Sequence, residues 1–204
     1  MTNRPEVSPR MEHGIVLLFV AAGLVMGLAL ALPAVRAAIG IAMGDGGFSL
    51  LTEAPVPVTA AESEPVIVSA RYESAWVVAS GLSVSARTLL VLGAAFGALT
   101  TLLTVGALNL FFLLLLWRRP FHSALVTATR VAGAALLIGG VFAAGLGGLG
   151  RMMAADELNP SAGGVFLVGS AFDPAWALVG VGVLAMSVVF SYGIRLQRDT
   201  EGLV

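Results

Sequence analysis

The sequence predicts an all-α transmembrane four-helix bundle with a small β-rich extracytoplasmic cap between helices 1 and 2. Three observations carry this. The chain of 204 residues is 58% hydrophobic and only 11% charged, against about 25% charged in soluble domains, so it lacks the polar surface to coat a soluble globule. Its apolar residues gather into four stretches, each long enough for the roughly 20 residues that cross a ~30 Å hydrocarbon core. Almost all of the charge falls in the gaps between them. Backbone groups in lipid must bond internally, so stretches of this length read as helices. They are expected at about 14–32, 88–117, 124–149 and 174–196, in one integral membrane domain spanning 1–204.

The first helix has a positive flank, Arg4 and Arg10, and Ala29-Leu30-Ala31 has the look of a signal-peptidase site. Its apolar run exceeds the 7–15 residues of a signal h-region, so it reads as an uncleaved signal anchor. The second helix would be about 45 Å long, so it must tilt or emerge from the bilayer. Trp117 and Trp176 suit the two interfaces. Asp173 is placed to cap the fourth helix, with Pro174 in its first turn.

Orientation follows from the arginines. With the N-terminus inside, Arg4, Arg10, Arg118, Arg119, Arg195 and Arg198 are cytoplasmic, with Arg130 just inside helix three. The tight Arg118-Arg119-Pro120 connection weighs most, because short loops set topology. Both termini are expected in the cytoplasm. Every basic residue is arginine, a usage typical of GC-rich bacterial genomes, and the bacterial inner membrane is the expected location.

The insertion 43–86 changes texture. A Gly44-Asp45-Gly46-Gly47 turn cluster leads into short β-branched runs at 48–51, 56–59, 66–69 and 76–78. Three or four strands are expected, with Pro55 and Pro57 demoting their run to an edge. Tyr72 and Trp76 are its candidate contacts for an external ligand, though packing its small core or resting on headgroups is the more ordinary role of such aromatics. The second outer loop, 151–172, is expected to lie against this cap.

Several chemistries are excluded. Without cysteine there are no disulfides, thiolate metal sites or thiol nucleophiles. Without lysine there is no Schiff base and no phosphate-loop lysine. The net charge of −1 argues against nucleic acid as a direct partner. His13 and His122 lack the companions of a metal or catalytic centre, and the glycine-rich 145–150 reads as the end of helix three. No catalytic residue, cofactor or metal is expected, and the chain reads as a non-enzyme.

Polar residues within the spans are few. Asn109 sits deep in helix two, a turn or two beyond Thr100, Thr101 and Thr104. It lines a polar path or hydrogen-bonds a neighbouring helix, a contact worth roughly 0.6–2 kcal/mol. No acidic residue falls in mid-membrane, which counts against an ion-coupled transporter. Small residues recur at four-residue spacing: Gly23 and Gly27, Gly93 and Gly97, then Ala135, Gly139, Ala143 and Gly147, with Gly140, Ala144 and Gly148 beside them. Such stripes let helix backbones approach closely in lipid.

Two cytoplasmic motifs complete the reading. Arg119-Pro120-Phe121 followed by Thr129-Arg130-Val131-Ala132-Gly133, and the ending Phe190-Ser191-Tyr192-Gly193-Ile194-Arg195-Leu196-Gln197-Arg198-Asp199-Thr200-Glu201-Gly202-Leu203-Val204, resemble the bacterial domain-of-unknown-function family 2975. Where that family usually carries Asn after the Pro-Phe pair, this chain has His122-Ser123-Ala124. The resemblance implies a four-helix membrane protein with an extracytoplasmic segment after helix one, no enzyme activity, and a neighbouring helix-turn-helix regulator as a partner class. The expected function is a sensor, regulator or accessory subunit. Its protein partner would dock on Arg118, Arg119, Arg130, Arg195, Arg198, Asp199 and Glu201, and the lipid bilayer would surround the rest. A small transporter or channel subunit is the alternative.

Overall fold

The computed structural model describes residues 9–55, 71–117 and 122–201. The order is α1 (Pro9–Met43), β1 (Gly47–Leu51), β2 (Ser74–Val78), α2 (Val84–Leu116), α3 (Ser123–Ala134), a π-helical segment (Ala135–Gly139), α4 (Gly140–Ala162) and α5 (Ala175–Glu201). Four helical spans are long and apolar enough to cross a membrane, the make-up of a multi-pass membrane protein.

All four spans lie where hydropathy placed them, but their ends differ from expectation. α1 does not stop before Pro33; it runs through the proline to Met43. The following residues, Ala34 to Met43, are rich in alanine, the strongest helix former, which offsets one lost backbone bond. It ends at Gly44, whose φ of 93° admits a left-handed cap. There Gly44 N–H donates to the Ile41 carbonyl and Asp45 N–H to the Gly40 carbonyl, the paired bonds of a Schellman stop.

The third span is corrected more strongly. The glycines at 145–150 do not end it, and 151–162 is not loop: α4 continues to Ala162. Arg151-Met152-Met153-Ala154-Ala155-Asp156-Glu157-Leu158 is a run of good helix formers. Gly163 and Gly164, at φ 71° and 75°, provide the real stop. In the middle of this span the π-helical segment adds one wide turn, into which Thr100 reaches: its hydroxyl donates to the Ala135 carbonyl at 3.3 Å.

The residues cluster into two compact units. The helical unit holds α1 up to Pro33, residues 96–141 and residues from 173 onward. In it α3 and α5 run antiparallel. Gly133 packs on Leu184, and Gly180 on the backbone of Leu137, so each glycine admits the other helix. Phe19 of α1 stacks on Phe112 of α2 at 5.2 Å, and Phe111 reaches Phe190 of α5 at 6.5 Å. Gly23 and Gly27 face Asn109 and Val105 of α2, so this glycine pair serves packing within the chain.

The sheet unit holds residues 34–95 and 142–172. β1 and β2 are antiparallel, pairing Gly47 with Val78 and Leu51 with Ser74. Two bridges extend the pairing, Thr52 to Phe166 and Pro55 to Arg71. Two strands are therefore present among the described residues; the expected runs at 56–59 and 66–69 lie outside them. The core is Ile41, Phe48, Leu50, Leu82, Leu90, Ala154 and Ala155. Gly93 meets Gly147 backbone to backbone, and Gly150 meets Leu90, so the small-residue stripe brings α4 against α2. The segment 163–172 does lie against the sheet, as Leu167 N–H donates to the Leu51 carbonyl at 2.9 Å.

Candidate functional site

Four of the residues expected to meet a partner, Arg130, Arg195, Arg198 and Asp199, lie toward one end of the helical unit, where α3 begins and α5 finishes. α3 starts at His122, whose Nδ1 accepts from Ala124 N–H at 3.1 Å. This gives His122 a capping role, satisfying one of the amides that a helix start leaves free. Two turns on, Arg130 donates through Nη2 to the Ser191 hydroxyl of α5 at 3.4 Å. Ser191 in turn donates to the Ser187 carbonyl at 2.8 Å. Ser191 lies one turn before Arg195 on α5. The antiparallel register sets residues 195–199 level with the start of α3.

Arg195, Arg198 and Asp199 are exposed, and no ion pair joins them among the described residues. Arg118 and Arg119 lie outside the described residues, as does the Glu201 side chain. The structure therefore brings Arg130, Arg195, Arg198 and Asp199 to one end of the α3–α5 pair. No group of three or more His, Asp or Glu side chains suited to a metal occurs among the described residues.

Asn109 is 7% exposed, and its Oδ1 has no hydrogen-bond partner among the described residues. The expected interhelical hydrogen bond is not formed. Oδ1 faces the Cα of Gly23, at the spot a side chain would fill, and glycine offers no donor there besides its helix-bonded amide. The nearby threonines are satisfied otherwise. Thr101 bonds the Gly97 carbonyl and Thr104 the Thr100 carbonyl, both within α2. Thr104 also lines a groove of about 340 Å³ with Phe111, Leu125, Thr129, Met186 and Phe190. Asn109 is not on that lining, so the threonines and the asparagine face different neighbours.

In the sheet unit, Trp76 is 70% and Tyr72 49% exposed. Neither belongs to the core, which the alternate face of β1 supplies through Phe48 and Leu50. Trp76 stands opposite Ser49, and its indole lies over Gly47, where any side chain would collide with it. Tyr72 N–H donates to the Ala54 carbonyl at 2.9 Å, and the flanking Arg71 pairs with Glu53 at 3.4 Å. Both aromatic rings are thus offered to the surroundings by paired backbone.

The sequence does not single out Arg151. This residue borders a second, smaller pocket with residues from β1, β2 and the 163–172 segment. Nor does the sequence single out the bonds that fix this segment: Asn159 donates through Nδ2 to the Phe166 carbonyl at 2.9 Å and accepts from Phe166 N–H at 3.0 Å. An Asn followed by Pro160 and paired glycines is the signal that could have found it. No family model, curated protein or solved structure matches the chain.

Proposed function

We propose that this chain is a non-enzymatic integral membrane interaction protein, a sensor, regulator or accessory subunit of a membrane complex. It would be a four-helix bundle of a bacterial inner membrane, related to the domain-of-unknown-function family 2975, with both termini cytoplasmic. The orientation rests on the short Arg118-Arg119 connection and the arginines of the C-terminal helix. The observation that carries the docking role is the exposed charge at the α3–α5 end. Arg195, Arg198 and Asp199 have no ion-pair partner among the described residues, and Arg130 is tied only to a serine. Charged groups set on a rigid helix pair favour a complementary partner through both association rate and register.

Co-purification from native membranes in mild detergent tests this. A stoichiometric partner should be recovered with the wild type and lost with Arg195→Glu/Arg198→Glu. Recovery of a lone monomer from the wild type would contradict it.

The second reading is a small transporter or channel subunit with Asn109 on the path. It rests on Asn109 being a polar side chain deep within a membrane-spanning helix, the default place to look for a path. Solute flux in liposomes that falls on Asn109→Ala would support this reading, and unchanged flux would remove it.

A further inference from the structure

Arg151 differs from every other described arginine. Arg71 pairs with Glu53, Arg87 donates to the Leu82 carbonyl and Arg130 donates to Ser191. Arg36, Arg195 and Arg198 are exposed to the surroundings. Arg151 alone is partly buried and makes neither a hydrogen bond nor an ion pair among the described residues. A guanidinium cannot shed its charge, so partial burial without a partner is costly.

Its surroundings supply what an anion needs. The pocket it borders, of about 160 Å³, is also lined by Ser49 of β1, Ser74 of β2 and Ser170 of the following segment. Ser49 and Ser74 lie on the same face of the sheet, opposite the core. The three serine hydroxyls have no partner among the described residues, so all are free to donate. The described carboxylates are engaged or turned outward: Glu157 accepts from Ser83 N–H at 2.9 Å, Glu53 pairs with Arg71, and Asp45, Glu73 and Asp156 are exposed. The volume exceeds the roughly 10–15 Å³ that holds one water but falls short of the 300–1,000 Å³ of drug-sized sites.

We propose that Arg151, with Ser49, Ser74 and Ser170, forms a binding site for a small oxyanion, a phosphate or carboxylate group. The planar guanidinium offers two parallel N–H donors that match two oxygens of such a group, and the hydroxyls serve the remaining lone pairs. The flanking Leu51 and Ala171 leave room for a short apolar substituent. The site lies wholly in the sheet unit and does not depend on the docking role proposed above.

Titration calorimetry of the full chain in detergent, with inorganic phosphate as the probe, tests the proposal. Phosphate should bind saturably. Arg151→Gln should weaken it about tenfold to a hundredfold, the usual cost of losing charge-assisted bonds. Arg151→Lys, which keeps the charge and the side-chain bulk but loses the fork, should weaken it less. Arg36→Gln should leave it unchanged. Absence of saturable binding, or equal affinity in a folded Arg151→Gln or Arg151→Lys protein, would overturn the assignment.

Nanodiscs separate the two sources of the same chemistry. Phosphate binding lost in phosphatidylglycerol but kept in digalactosyl diacylglycerol, which has no phosphate, identifies a lipid phosphate as the occupant. Binding kept in both identifies a soluble oxyanion. Either result upholds the site, and binding in neither would overturn it.

Discussion

The two units solve the same problem, buried polar groups, in opposite ways. In the sheet unit, side chains reach beyond their own helix or strand to fix the backbone. Thr52 donates to the Val165 carbonyl at 2.7 Å, Glu157 holds Ser83 N–H, and Asn159 clasps both backbone groups of Phe166. In the helical unit, hydroxyls mostly bond back within their own helix, as Thr104, Thr129 and Ser191 do. Bonds between helices there include Thr100 to Ala135 and Arg130 to Ser191. Where helices carry their own backbone bonds, cohesion comes from close approach at small residues and from stacked rings. Where the chain is strand and loop, it comes from specific polar bonds that satisfy exposed backbone groups.

The largest effect should come where backbones touch. In the sheet unit a side chain at Gly93 would run into the backbone of Gly147, and one at Gly150 into that of Leu90. Backbone cannot step aside as a flexible side chain can. Gly93→Val and Gly150→Val should each cost about 3 kcal/mol or more, at the upper end of overpacking effects, read as a fall in thermal midpoint in detergent.

The next contrast uses one residue type in both units. Asn159→Ala should cost about 1–3 kcal/mol, because it strands the Phe166 amide and carbonyl. Hydrogen exchange at 163–170 should speed up accordingly. Asn109→Leu should be neutral or stabilising, because it removes a buried oxygen that bonds nothing. A large loss of stability at Asn109 would mean that its amide has a partner, and the contrast would fail.

The smallest effect is expected at Gly182 of α5, which faces open space. Gly182→Ala should stabilise the helix by up to about 1 kcal/mol, since alanine loses less backbone entropy there. A destabilised protein would show that something covers this face.

Hydropathy made the four spans legible, because a bilayer demands long apolar runs whatever else the chain does. It did not make their ends legible. Pro33 and the glycines at 145–150 have the form of stops, yet alanine-rich and Met-Ala-Glu stretches carry both helices onward. The π-helical segment left no trace in the sequence pattern; Thr100 meets its Ala135 carbonyl from another helix. β1 and β2 were legible from their β-branched and aromatic runs. The Arg151 pocket was not, because Ser49, Ser74, Arg151 and Ser170 are distant in sequence and meet only through the strand register and the course of the 163–172 segment. Arg130, Arg195, Arg198 and Asp199 were legible as a group, because charge flanking membrane helices stands out against apolar sequence.

The proposed docking role places a protein partner at the charged end of the helical unit. A photo-crosslinking amino acid placed at 195 and at 198, activated in native membranes, probes that end directly. The account predicts one discrete protein adduct, formed at both positions and abolished by Arg130→Glu. Crosslinks to lipid alone at both positions would contradict it.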